Sequence, residues 1–195
     1  IGFSCSEDKK QKVIYLNEAQ SIDAKNINGY LINASDIFVE SRSSSLNDVP
    51  QMVYGNKPTD GGFLFLTEDE KNEVIKKEPI TEKYIKQILG SEEYINNKVR
   101  YCFWLVDVSP AIVKRSQELR KRLEAVKEMR EKSTAAPTRE KANTPGLFFF
   151  VSQPKTNYLL VPSTSSEKRR YVPIGFISPD IIASNSTTIV PNATL

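Results

Sequence analysis

Tyr158-Leu-Leu-Val-Pro-Ser-Thr-Ser-Ser-Glu-Lys-Arg-Arg-Tyr-Val-Pro-Ile-Gly-Phe-Ile177 is the stretch whose reading decides the fold. Its two ends, 158–162 and 171–177, are rich in β-branched and aromatic residues and read as strands. The polar middle then becomes the connection of a β-hairpin held up by a rigid sheet. Ser165, Ser166, Lys168, Arg169, Arg170 and Tyr171 fall at its tip. Forked guanidinium groups, an ammonium and hydroxyls are the donors that phosphate oxygens and base edges accept. A solvated turn can have the same composition, so the rest of the chain decides between the two.

Working outward, 147–151, 181–183 and 188–190 read as further strands. With a turn at 153–157 they make the last third an antiparallel meander. Ahead of them, Ser109-Pro110 supplies an N-cap and a first-turn proline for one long helix over about 110–132. Ile112, Leu119, Leu123, Val126 and Met129 recur at helical spacing and give it a single apolar stripe. Lys114, Arg115, Lys121 and Arg122 form a basic outer face. The pattern breaks at 134–138, and a short helical piece over 139–143 carries Arg139.

Nearer the start, the apolar run 101–106 reads as the most buried strand. Thr67 with Glu70 makes a capping box opening a helix over 68–77, which Pro79 ends. A second short helix is expected over 81–89, with Gly90 as its left-handed cap. The runs 52–55 and 62–66 flank a Pro and Asp-Gly turn and read as a second hairpin, its tip carrying Asn56, Lys57, Thr59 and Asp60. Short strands are expected at 29–32 and 37–39, loops at 17–28 and 42–45 (with Arg42), and an antiparallel pair from 1–3 and 13–16. The sum is an α+β fold: a mixed or antiparallel sheet with hairpins, two short helices and one long basic helix, ending in a β-meander.

Composition narrows the chemistry. The 195 residues, 39% hydrophobic and 26% charged, suit a globular domain. The net charge of +3 hides an asymmetry. Residues 1–109 carry 13 Lys/Arg against 17 Asp/Glu, whereas 110–195 carry 14 against 7. One basic half suits a polyanionic partner. Apolar runs are too short to span a bilayer, so no membrane partner is expected. Two cysteines give no disulfide framework and fit a reducing cytosol. The absence of histidine removes Ser-His and Cys-His nucleophilic sites and His-ligated metals. The loop Gly55-Asn-Lys-Pro-Thr-Asp-Gly-Gly62 lacks the Gly-Lys-Ser/Thr of a phosphate-binding loop, and no Gly-x-Gly follows a strand. No cofactor, metal or catalytic residue is therefore expected in this chain, and binding remains.

Residue chemistry alone leaves three readings open: a reader of double-stranded DNA, a binder of RNA or single strands, and a domain whose basic face docks an acidic protein. Single-strand binding calls for exposed aromatic platforms, whereas Phe and Trp here cluster in runs that read as buried.

The sequence resembles the target recognition domain of MmeI-like enzymes, single-chain restriction–modification proteins that fuse an endonuclease to an adenine-N6 DNA methyltransferase. The likeness is carried by Asn26-Ile-Asn-Gly-Tyr-Leu31, Asp36-Ile-Phe-Val39, Asp48-Val-Pro50 and the 55–62 loop. It continues through Phe103-Trp-Leu-Val-Asp107 with Ser109-Pro110, the 165–176 stretch and Ile189-Val-Pro-Asn-Ala-Thr194. The resemblance implies that 1–16 are the last strands of an upstream methyltransferase core. It makes 17–195 a target recognition domain, truncated at its C-terminal end and followed by a helical region. It places the Asn-Pro-Pro-Tyr/Phe catalytic motif and S-adenosyl-methionine in the upstream domain, magnesium in the endonuclease, and the whole in a prokaryotic cytoplasm. This chain contains no Asn-Pro-Pro and is expected to be inert by itself. Gly29 stands where the family pattern has Pro, and 132–143 and 149–155 diverge from it. Side chains that choose bases are expected to vary, so the recognised sequence does not carry over. Phosphate contacts are expected from Lys168, Arg169, Arg170 and the long helix, and base contacts from the two hairpin tips.

Overall fold

The computed structural model describes residues 11–42 and 44–194, which fall into two compact units divided between Asn47 and Asp48. In the first unit, β1 (Lys12–Asn17) and β2 (Gln20–Ala24) form an antiparallel hairpin from Lys12↔Ala24 to Asn17↔Gln20, with an irregularity after Tyr15. The Asn17 side chain holds the turn by accepting from Ala19 N at 3.0 Å. Part of the expected 17–28 loop is thus a strand, and the expected partner at 1–3 lies outside the described residues. The strands expected at 29–32 and 37–39 do not form; there is only an isolated bridge between Ile27 and Asn33. Asparagine side chains supply the reason. Asn28 Oδ1 accepts from Tyr30 N at 3.0 Å, and Asn33 Oδ1 accepts from Lys25 N at 3.1 Å, so local turns replace a ladder.

The second unit contains two four-stranded sheets. One runs in the order β3 (Val53–Tyr54), β10 (Thr187–Pro191), β7 (Tyr158–Pro162), β8 (Gly175–Ile177), antiparallel throughout. The other runs β4 (Phe65–Leu66), β6 (Tyr101–Phe103), β5 (Ile85–Leu89), β9 (Ile182–Ala183), with β5 and β9 parallel. The fold is α+β, as expected. The run 101–106 does supply a buried central strand, shortened to β6, with Cys102 and Phe103 fully buried.

Several elements differ from the sequence expectation. The runs at 52–55 and 62–66 do not pair with each other: β3 joins one sheet and β4 the other, so 55–64 is a crossing between sheets and not a hairpin. The stretch expected as a second helix is a short 3-10 turn, Pro79–Tyr84, followed by β5. Here Ile85 and Ile88 meet strands on both sides, and pairing overrides helical propensity. Gly90 is extended and begins α2 (Ser91–Asn96), while Asn97, at φ 51°, is its left-handed cap. The final third is not a simple meander, because β9 leaves to pair with β5, and 147–151 is not a strand.

Helix α1 (Glu68–Lys77) opens on the expected capping box, with both Thr67–Glu70 hydrogen bonds present. The long helix divides into α3 (Pro110–Arg115) and α4 (Gln117–Glu131) at extended Ser116. Ser116 Oγ accepts from Leu119 N at 3.0 Å and donates to the Glu78 carboxylate. That carboxylate also accepts from Gln117 N and Glu118 N, so one side chain at the end of α1 satisfies the free amides that open α4. Helix α5 (Ala136–Glu140) begins earlier than the expected helical piece and runs into a 3-10 turn, Lys141–Asn143. The main core packs Leu64, Leu66, Ile88, Phe103 and Ile182 with Leu119 and Val126 of α4. A second cluster of Leu89, Tyr158, Leu160, Ala183 and Ile189 takes side chains from both sheets.

At the crossing, Gly55 N donates to Thr187 O at 3.0 Å, and a Cβ there would lie 2.2 Å from the Ser184 carbonyl oxygen. That neighbour is backbone and cannot swing aside. Gly55→Ala is expected to destabilise the protein by about 3 kcal/mol or prevent folding, read from the urea midpoint.

Candidate nucleic-acid interface

The β7–β8 hairpin forms as the sequence leads one to expect, with pairs Tyr158↔Ile177, Leu159↔Phe176 and Leu160↔Gly175. Pairing stops there, so the expected strand at 171–177 is reduced to its last three residues and loop 163–174 stands free of the ladder. Its base is tied down: Ser163 N donates to Ser91 Oγ at 3.0 Å and to Ser186 O at 3.1 Å. Its tip is a turn in which Ser166 Oγ accepts from Lys168 N at 3.2 Å and Ser166 O accepts from Arg169 N at 3.0 Å. Ser165, Lys168, Arg169, Arg170 and Tyr171 are all exposed. Among the described residues, Lys168, Arg169 and Arg170 have no ion-pair partner. Arg170 lies over the Tyr171 ring at 5.3 Å. A cleft of about 400 Å³ separates the loop from α2, with Ser165, Ser166 and Arg169 on one wall and Glu92 and Asn96 on the other. This loop offers an outside partner several charged donors that the fold itself does not use.

The second expected tip is different. Asn56 is fully buried: its amide donates to Gln153 Oε1 at 2.9 Å and Ala183 O at 2.8 Å, and its Oδ1 accepts from Ser152 N at 2.7 Å. Asp60 is also buried and accepts from Gly62 N at 3.1 Å and Leu64 N at 2.7 Å. Neither side chain lies at a surface, because both satisfy backbone groups at the crossing between the sheets. Thr59 takes a left-handed φ of 45°, and its hydroxyl is buried with no hydrogen-bond partner among the described residues. Only Lys57 is presented outward. Its backbone pairs with Phe150 in both directions, at 3.0 and 3.1 Å, and its ammonium lies 5.8 Å from the Phe149 ring.

Arg139 is exposed, and its Nη1 donates to Ser133 O and Thr134 O, each at 2.8 Å, closing the turn after α4. Arg42 belongs to the first unit and pairs with Glu40 at 3.7 Å. The basic face of the long helix is interrupted. Lys114 and Arg115 sit on α3 and Lys121 on α4, all exposed. Arg122 is half-buried, with Nε on Glu118 at 2.6 Å and Nη1 on the carbonyls of Phe63 and Phe65 at 2.8 and 3.0 Å. It serves the fold, not the outer face.

Residues 33–195 match the family described as MmeI, target recognition domain. The chain belongs to this family. DNA methyltransferase A of Bacillus subtilis (strain 168) is 36% identical over 194 residues, covering 99% of this chain and 22% of that protein. A solved structure of the type IIL restriction-modification enzyme MmeI in complex with DNA superposes with a TM-score of 0.87 at 42% identity. It covers 96% of this chain and 26% of that one. The chain thus spans about a quarter of each relative's length. Among the described residues, no group of three or more His, Cys, Asp or Glu is placed to hold a metal ion. Among them, too, no helix is long and apolar enough to cross a membrane.

Two residues central to this surface's support escape sequence reasoning. Gln153 Nε2 donates to Pro179 O at 3.1 Å and Ile181 O at 2.8 Å while its Oε1 serves Asn56, so it ties the crossing to β9. Arg130 is fully buried in α4, and all five of its N–H groups reach backbone carbonyls. Burial pushes its pKa down, and the nearby Asp60 charge acts the other way. Nothing in the local pattern marks either residue, since a polar side chain at a helical or loop position reads as solvated.

Tyr158 opens β7 at the end of the hairpin away from the loop, and its hydroxyl donates to Ile181 O at 2.7 Å. Burial raises its pKa from 10.0 to about 12, partly offset by a hydrogen bond with Gln153. The folded state therefore retains a proton that the unfolded chain has lost between those values. The associated stability is fully present below pH 10 and falls by about 1.4 kcal/mol per unit as pH rises towards 12. Tyr158→Phe is expected to flatten that part of a urea-denaturation pH profile.

Proposed function

We propose that this chain is the DNA target recognition domain of a restriction–modification methyltransferase. In this reading it binds double-stranded DNA and positions a target adenine for N6 methylation by a domain elsewhere in the same polypeptide. The observation that carries the reading is family membership over residues 33–195, joined to a hairpin loop whose exposed cations have no ion-pair partner among the described residues. Lys168, Arg169 and Arg170 supply charge-assisted donors at the end of a rigid strand pair, where one forked guanidinium can grip a phosphate or the O6/N7 edge of guanine. Lys57 adds a cation at the crossing and Arg139 one on α5, and Ser165 and Ser166 add hydroxyls. Asn56, Asp60 and Arg122 are left out of the contact set, because their polar atoms are already spent inside.

The chain supplies recognition and not chemistry. S-adenosyl-methionine would be held by an upstream methyltransferase domain, and magnesium by a fused endonuclease. Residues 1–16 would close the former, and a helical region would follow the recognition domain. The setting would be the cytoplasm of a prokaryotic cell. An RNA-binding or protein-docking role would instead show as preference for single strands, or as partner binding that survives nuclease treatment.

The test uses the full-length parent protein. Mapping methylated adenines in DNA from expressing cells is expected to reveal one defined motif. Arg169→Ala and Arg170→Ala are each expected to weaken binding to that motif by about tenfold, the cost of one lost phosphate or base contact. Loss restricted to one base position assigns a base contact, whereas uniform weakening with a shallower salt slope assigns a phosphate contact. Unchanged affinity in both variants would overturn this assignment.

A further inference from the structure

We infer that Arg130, which touches no surface, is a positioning residue for recognition: it locks two separate surface segments into one rigid presenting unit. Its Nε donates to Thr59 O at 3.0 Å and its Nη2 to Pro58 O at 3.0 Å, gripping the turn that carries Lys57. Its Nη1 donates to Lys141 O at 3.0 Å and Thr144 O at 2.9 Å, and Nη2 also reaches Leu147 O at 2.8 Å. Those three carbonyls lie on the segment leading from α5, with Arg139, to Phe149 and Phe150. The same two segments meet again above it, where Phe149 N donates to Pro58 O at 3.2 Å and Lys57 pairs with Phe150.

The donor count makes the role specific. A guanidinium has five N–H groups in a fixed planar fork, and here each faces a carbonyl; those of Thr59 and Leu147 have no other donor among the described residues. A lysine ammonium at the same place has three donors on a flexible stem and cannot fill both sides of the fork. Loosening the clamp would let the Lys57 turn and the 141–150 segment move independently. Recognition depends on holding groups within fractions of an ångström, so discrimination should suffer before gross binding does. This inference rests on the DNA-recognition reading above.

The test compares full-length wild type, Arg130→Lys and Ala142→Gly by fluorescence anisotropy. Two duplexes are used, one carrying the motif found by methylation mapping and one scrambled, between about 50 and 200 mM salt. Ala142 is buried in the 3-10 turn whose carbonyls Arg130 holds, so Ala142→Gly loosens one side of the clamp while keeping the arginine. Arg130→Lys is expected to lose about tenfold or more in affinity for the motif, with scrambled-duplex affinity and salt slope unchanged. Ala142→Gly should shift the same ratio in the same direction, by about threefold. Thermal unfolding run alongside establishes that each variant is folded, and if Arg130→Lys is not, Ala142→Gly decides. A folded variant that discriminates like wild type would overturn the positioning role. So would parallel weakening on both duplexes with a shallower salt slope, which would mark Arg130 as a phosphate contact. A wild type without preference for the motif would sink the recognition reading itself, and this inference with it.

Discussion

The second unit depends on a cation that never meets water. Arg130 reaches the carbonyls of Pro58, Thr59, Lys141, Thr144 and Leu147. An unsatisfied buried polar group costs on the order of 1–3 kcal/mol. Thr59 O and Leu147 O accept from no other donor among the described residues, so losing the guanidinium would strand two acceptors at a cost of about 2–6 kcal/mol, a large part of an ordinary domain's stability. Burial opposes the charge and Asp60 supports it, while Asp60 also holds the amides of Gly62 and Leu64. The guanidinium and the carboxylate therefore fix the same crossing, one through its donors and the other through its acceptors. The helix that bears Arg130 has its own remote anchor, since Glu78 caps it from the end of α1.

A division of labour among polar residues follows from this arrangement. Asn56, Asp60, Gln153, Ser91 and Arg130 are spent on backbone groups where strands cross between sheets or loops leave them. Lys57, Lys168, Arg169 and Arg170 keep their charges outside. The two sets meet in sequence at Asn56 and Lys57. Residue type alone does not separate them, because both sets consist of good donors and acceptors.

That limit accounts for what was legible in the sequence. The hairpin around 158–177, the Thr67 capping box, the buried run 101–106 (shortened to β6) and the apolar stripe of 112–129 (divided between α3 and α4) all rest on local periodicity or a fixed spacing. Each of these appears in the structure. The misreadings share another cause. The Asn56–Gly61 turn looks like a hairpin tip because its formers are right, but the flanking strands take partners more than 30 residues away. The 81–89 segment looks helical until neighbours on both sides make it a strand. Ser116 followed by Gln117 and Glu118 is itself an N-cap pattern, masked by the longer periodic run. Arg130 has no local signature at all, since its five partners lie in loops that only tertiary structure assembles.

The short strand β3 carries one more implication, for the order in which the protein is made. Val53 and Tyr54 pair only with β10, at Ile189 and Thr188, and the neighbouring Asn56 oxygen accepts from Asn185 N at 2.9 Å. Pairings of such separation carry a large loop-closure cost and form late. During synthesis, residues 53–56 must therefore wait, with their edge unpaired, until more than 130 further residues have left the ribosome. The helices and the sheet around β6 can assemble in the meantime from contacts already available. Once β10 has emerged it closes the first sheet and sets the Lys57 turn in place, so a shorter nascent chain cannot present that turn in its final form.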